Sequence, residues 1–121
     1  MRKVFSVFAV SALLFSTTVP LFAHDEATVK GEVIDLKCYS SQGAKATGAG
    51  HADCAETCVK NGNMVGILTS DGQVYTITGE WTKNKNEKLW DYVAKNVEAR
   101  GVVTEKDGKK TLNVSSMSPA S

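Results

Sequence analysis

Three cysteines and one histidine carry the chemistry that this sequence can offer. His51, Cys54 and Cys58 recur at i, i+3 and i+7 within H-A-D-C-A-E-T-C, and Cys38 lies upstream. At about 100° per residue, a helix would place positions 51, 54 and 58 within an arc of roughly 60°. One imidazole and two thiolates would then face the same point. Such soft donors suit zinc or Cu(I). The cysteine count is odd, so an internal disulfide cannot account for all 3 sulfurs.

The redox compartment decides how unusual that is. Arg2 and Lys3 precede an almost unbroken apolar run over residues 4–15, too short to span a bilayer comfortably. Pro20 and the small residue Ala23 follow, before an abrupt change to His24-Asp25-Glu26. Residues 1–23 therefore read as a signal peptide, cleaved after Ala23, which implies a periplasmic or secreted protein with no stable membrane span after cleavage. What remains, residues 24–121, is a single small domain of roughly 100 residues with one modest core. Removing Arg2 and Lys3 from the 14 basic residues leaves 12 against 13 acidic ones. That balance offers no basic field to a nucleic acid or an anionic membrane surface.

The elements that must position the sulfurs can be read from pattern and punctuation. Residues 28–36 have strand composition, with Gly31 marking a bulge or sharp bend. Residues 40–50 are small and glycine-rich and read as a loop. A helix over 51–60 follows, ended by Asn61-Gly62. Residues 64–69 and 73–78 form a hairpin across Ser70-Asp71-Gly72. Asn84 with Glu87 matches a capping box, and Leu89, Trp90, Tyr92 and Val93 then define the apolar face of a second helix. A last hairpin turns at Asp107-Gly108 between 97–105 and 110–116, and the tail from Met117 is expected to fray. The sum is a mainly β chain with two helices, arranged as a five-stranded OB-like barrel with a helical Cys/His insert between strands 1 and 2. Gly101 suits a barrel strand that bends sharply. OB folds often take oligonucleotides, but fold alone does not establish function and the charge balance opposes it.

The strand end G-E-V-I-D-L-K-C at 31–38 and the segment H-A-D-C-A-E-T-C at 51–58 resemble a group of small exported bacterial proteins. These are largely uncharacterised. They are similar in carrying a G-x-V-x-D-x-x-C strand, an H-x-x-C-A-x-x-C helix and a following G-x-P-x-G-[IL]-L strand, where this chain has Met64 in place of the proline. The likeness covers roughly residues 28–80. It implies that Cys38, His51, Cys54 and Cys58 belong to one site, and it supplies no reaction.

Three readings of that site stay open. In the first, Cys38, His51, Cys54 and Cys58 bind a metal. Copper ranks ahead of zinc, because copper handling in an oxidising compartment favours sets of Cys, His and Met, and Met64 just after the helix offers a thioether. In the second, Cys38 pairs with Cys54 or Cys58 and staples a disulfide-stabilised binding module without metal. The loop closed would be worth on the order of 3 kcal/mol in the chain-entropy model. In the third, a helix-borne thiolate exchanges with a partner disulfide, although no C-x-x-C is present. A leftover sulfur could also cross-link a homodimer or share a metal between two chains.

The remaining polar residues carry less. His24 would head the mature chain, where amine and imidazole together can chelate copper. Asp35 precedes Cys38 and can hydrogen-bond to a ligand histidine from behind, although solvation or a turn role is commoner for such a residue. No Ser-His-Asp order, phosphate-cradling glycine loop or acid and base pair stands out, so the chain reads as non-enzymatic: a metal-binding protein whose partners are the ion and a periplasmic metal-acceptor protein.

Overall fold

The computed structural model describes residues 26–120, so the expected signal peptide at 1–23 and His24 lie outside the described residues. Five strands form one closed sheet: β1 (Ala27–Asp35), β2 (Val65–Leu68), β3 (Val74–Thr78), β4 (Asn96–Lys106) and β5 (Lys109–Pro119), with neighbours in the order β1-β2-β3-β5-β4 and back to β1. Closure depends on β1 serving two partners. Its first part pairs antiparallel with β4 from Ala27 to Glu32, and its second part pairs antiparallel with β2 from Glu32 to Asp35. Gly31 sits at that changeover, where a Cβ would stand 2.2 Å from the carbonyl oxygen of Leu68. The bend expected there is a close approach of backbones rather than a bulge. The bulge falls instead between Arg100 and Gly101, where Ser115 is the extra residue opposite and its hydroxyl donates to the Arg100 carbonyl.

Both Asp-Gly turns form as expected. Thr69 and Gln73 close the first, and Asp107 and Gly108 both take the left-handed conformation that a two-residue hairpin requires. The tail does not fray: β5 runs on to Pro119, and Met117 is buried in the core, opposite Ala99 of β4. Alternate side chains of the strands fill the interior, among them Val29, Val33, Ile67, Ile77, Val97 and Leu112.

Residues between β1 and β2 form the expected helical insert, with one helix more than the sequence suggested. α1 (Leu36–Gln42) and α2 (Ala52–Lys60) are separated by two short 3-10 turns, Gly43–Ala46 and Ala49–His51. Part of the expected loop at 40–50 is thus turned into helix. α2 ends as expected, with Gly62 left-handed and its amide donating to the Val59 carbonyl.

The second expected helix is the largest correction. Its capping box does not form, because Asn84, Lys85 and Asn86 all have positive φ. They lie in a single irregular turn, α3 (Lys83–Asn86), followed by 3-10 geometry over Glu87–Tyr92. A distant contact explains the distortion: the buried Asn86 amide donates to the carbonyls of Val59 at 3.0 Å and Asn63 at 2.9 Å. Satisfying two carbonyls at the end of α2 outweighs regular helix here, and asparagine tolerates the left-handed region better than most residues. The expected apolar face survives in altered form, with Leu89 and Val93 in the core and Trp90 and Tyr92 half-buried against it.

Asn86→Ala removes both hydrogen bonds and leaves a Cβ-bearing residue without local compensation at φ 62°. The expected loss is about 2–3 kcal/mol by urea denaturation, and Asn86→Gly, which relieves the backbone but not the lost bonds, should lose less.

Candidate metal centre

Two helices bring three sulfurs together. On α2, Ala55 and Val59 are buried one turn apart and pack into the core of the closed sheet. Cys54 and Cys58 precede them by one position each, so their stripe is rotated by about 100° to the margin of that contact. Burial of the alanine and valine therefore fixes where both sulfurs point. Lys60 adds an exposed pair with Glu56 at 2.6 Å and stands 5.5 Å over the Trp90 ring, tying the helix end to the 87–92 segment.

Cys38 arrives by another route. α1 contains no buried residue. Its position is set at its first turn by four contacts. The Asp35 carboxylate accepts from the Lys37 amide at 3.2 Å and the Cys38 amide at 3.3 Å. The Leu36 amide donates to the Met64 carbonyl at 3.0 Å, and the Leu36 side chain rests on Gly66, where a Cβ would come within 2.7 Å of it. Asp35 is a helix N-cap, the residue type that best satisfies first-turn amides.

The result is a group in which the Sγ atoms of Cys38, Cys54 and Cys58 all lie within 4.8 Å of one another. All three are free thiols; Cys54 is exposed, and Cys38 and Cys58 are half-buried. At a metal–sulfur distance near 2.3 Å, sulfurs around a common ion stand about 3.8–4.0 Å apart, so each would need to move by less than about 1 Å.

The other expected ligands fare differently. His51 does not join the group. It ends the 3-10 turn before α2 with φ −109° and ψ 0°, outside the helix, so the wheel that aligned it with Cys54 and Cys58 does not extend to it. Its Nε2 is nevertheless buried and makes no hydrogen bond among the described residues. Met64 is 65% exposed and lines a groove with Leu36, Tyr39 and Val74. The residue that sequence reasoning undervalued is Asp35, which acts on the sulfur itself rather than on a histidine; its signal was an Asx residue at a strand end, three positions before a cysteine.

Electrostatics follow from that carboxylate. A hydrogen bond to Asp35, then partial burial, the Asp35 charge, and a hydrogen bond and charge from Cys58 push the Cys38 thiol up to about 12. Burial foremost, then the Asp35 charge, pushes the Cys58 thiol up as well, partly offset by the hydrogen bond from Cys38. Neither is the low-pKa nucleophile that thiol exchange requires. A bound cation would reverse these shifts, since ligating thiols must lose their protons.

Comparison with protein-family models, with curated proteins and with solved structures finds no match. Among the described residues no helix is long and apolar enough to cross a membrane.

Raised thiols make a signed prediction. Cys38 is held neutral in the folded, metal-free protein from its ordinary 9.0 up to about 12. Its contribution to stability is therefore complete below pH 9 and lost as the pH climbs towards 12. Under reducing, metal-free conditions, the urea midpoint should fall over that window less in Cys38→Ser than in the parent. Equal alkaline losses would remove Cys38 as the cause. At pH 8, alkylation followed by peptide mapping should find Cys38 modified after the exposed Cys54.

Proposed function

We propose that this chain is a non-enzymatic metal-binding protein that holds one Cu(I) ion through Cys38, Cys54 and Cys58. The observation that carries this reading is the gathering of three sulfurs, from two separately positioned helices, within 4.8 Å of one another. Thiolates are the softest donors a protein has, and a three-sulfur set fits Cu(I), which accepts fewer than four ligands. The buried Asp35 carboxylate supports it further, since no Lys or Arg pairs with it among the described residues. Its hydrogen-bond partners are backbone amides without net charge, so a cation held beside Cys38 would meet a carboxylate that has no counter-ion.

The setting completes the proposal. The strand order with a helical insert after β1 supports an OB-like barrel. The basic and apolar character of residues 1–23 supports export, as does the likeness to small exported bacterial proteins carried by residues 31–38 and 51–58. In such a compartment the chain would keep Cu(I) and pass it to an acceptor protein.

One observation favours a second reading with zinc. His51 Nε2 is buried and unpartnered, directly before the helix that bears two of the sulfurs. A rearranged His51 would complete the tetrahedral three-sulfur, one-nitrogen set that zinc prefers.

Titration of the reduced protein with Cu(I) against a chromophoric competitor should give one equivalent bound. Cys54→Ser and Cys58→Ser should each weaken binding by more than about tenfold. His51→Ala should leave Cu(I) affinity unchanged, whereas parallel loss of zinc binding in that variant would establish the four-ligand site. Unchanged Cu(I) affinity in both cysteine variants would falsify the centre.

A further inference from the structure

The three sulfurs are not equivalent. Cys38 follows the fully enclosed Asp35, whose carboxylate accepts from the Cys38 amide, and Cys58 precedes the buried Val59. Both are half-buried, whereas Cys54 is exposed. Cys54 sits one turn before Cys58, with exposed Asp53 and Thr57 beside it, so nothing from the closed sheet covers it. An ion held by the group would have two inner ligands and one outer ligand, with its open face on the outer side.

We propose that Cys54 is the exchange ligand of this site, the sulfur that gives way to a thiol on an acceptor protein while Cys38 and Cys58 still hold the ion. This rests on the Cu(I) reading. Cys54 is the most open of the three sulfurs: it is exposed, whereas Cys38 and Cys58 are half-buried and Cys58 stands beside the buried Val59. The step is a ligand exchange without electron transfer. The acceptor sulfur forms a bond to Cu(I), the bond between Cu(I) and Cys54 Sγ breaks, and the proton leaving the acceptor thiol is taken up by Cys54. Copper stays Cu(I) throughout, and the charge of the bound group is unchanged. Because only one protein bond breaks at first, the ion is never free in an oxidising medium. The partner is thereby defined by chemistry: a protein with a cysteine on an accessible surface that can reach an exposed helix face.

The inner pair also assigns different parts to the two helices. Cys58 is held by a helix docked into the core, and Cys38 by a helix with no buried residue. After Cys54 has gone, Cys38 on α1 is the sulfur that can move next, and Cys58 the last to release.

The test uses the full protein loaded with Cu(I) under argon and a short synthetic peptide containing one cysteine as the acceptor. A brief pulse of iodoacetamide is followed by native mass spectrometry of the species that still carries copper, and by peptide mapping. Copper-bearing protein should be alkylated at Cys54 alone, at a rate that rises in proportion to peptide concentration and reaches roughly tenfold or more above the rate without peptide. Exposure alone would give a Cys54 rate independent of the peptide, and that result overturns the proposal, as does first alkylation of Cys38 or Cys58. A protein that carries no copper before peptide is added overturns the Cu(I) reading itself, an outcome visible in the first spectrum.

Discussion

A single buried carboxylate determines how the sulfur group is built. Asp35 is the last residue of β1, fully enclosed, and it satisfies the first amides of α1 instead of a cation. It thereby ends the strand, starts the helix and sets Cys38 within reach of α2. The same oxygens that make the backbone turn also hold the Cys38 thiol protonated. Structure and reactivity at this corner thus have one cause. Replacing the carboxylate would alter the direction of the chain and the acidity of the sulfur together.

The two helices of the insert contribute in opposite ways. α2 gains its place from apolar burial, through Ala55 and Val59, and from the Asn86 amide that satisfies the Val59 carbonyl near its end. α1 gains its place from hydrogen bonds and one leucine contact at its first turn. Loss of apolar contact is costly and cooperative, whereas a short capped helix with no buried face opens at small cost. The site therefore joins a rigid support to a compliant one, and a ligand that bridges them would order residues between β1 and α2 without any change in the sheet.

Much of this was legible from residue order, for reasons tied to local chemistry. Asp107-Gly108 specifies its hairpin through two successive left-handed residues that few other pairs adopt, and Gly72 supplies the one positive φ of the first turn. Cys54 and Cys58 share a face because four-residue spacing does so in any helix. What escaped was decided at long range. Nothing in Leu36-Lys37-Cys38-Tyr39-Ser40-Ser41-Gln42 has the periodicity of an amphipathic helix, and α1 exists because Asp35 caps it and Leu36 finds Gly66. The capping box at Asn84 failed for the converse reason: residue 86 is drawn to carbonyls 27 and 23 positions away. His51 was misplaced by a single helical step, since it stands at the boundary of α2 rather than within it.

The closure of the sheet bears on how this molecule behaves among its own kind. An open sheet presents a row of unpaired amides and carbonyls to which another chain can add a strand, and that is a common seed of aggregation. Here every strand has two partners, β1 through β4 at Ala27–Glu32 and through β2 at Glu32–Asp35, and β5 joins β3 to β4, so no strand stands at the edge of the sheet. Strand addition is thereby confined to the stretches of β1, β4 and β5 that run past their second partner. The exposed sulfur at Cys54 is a contact point of another kind, since a bond between two such sulfurs is made by oxidation and undone by reduction, as a strand pairing is not.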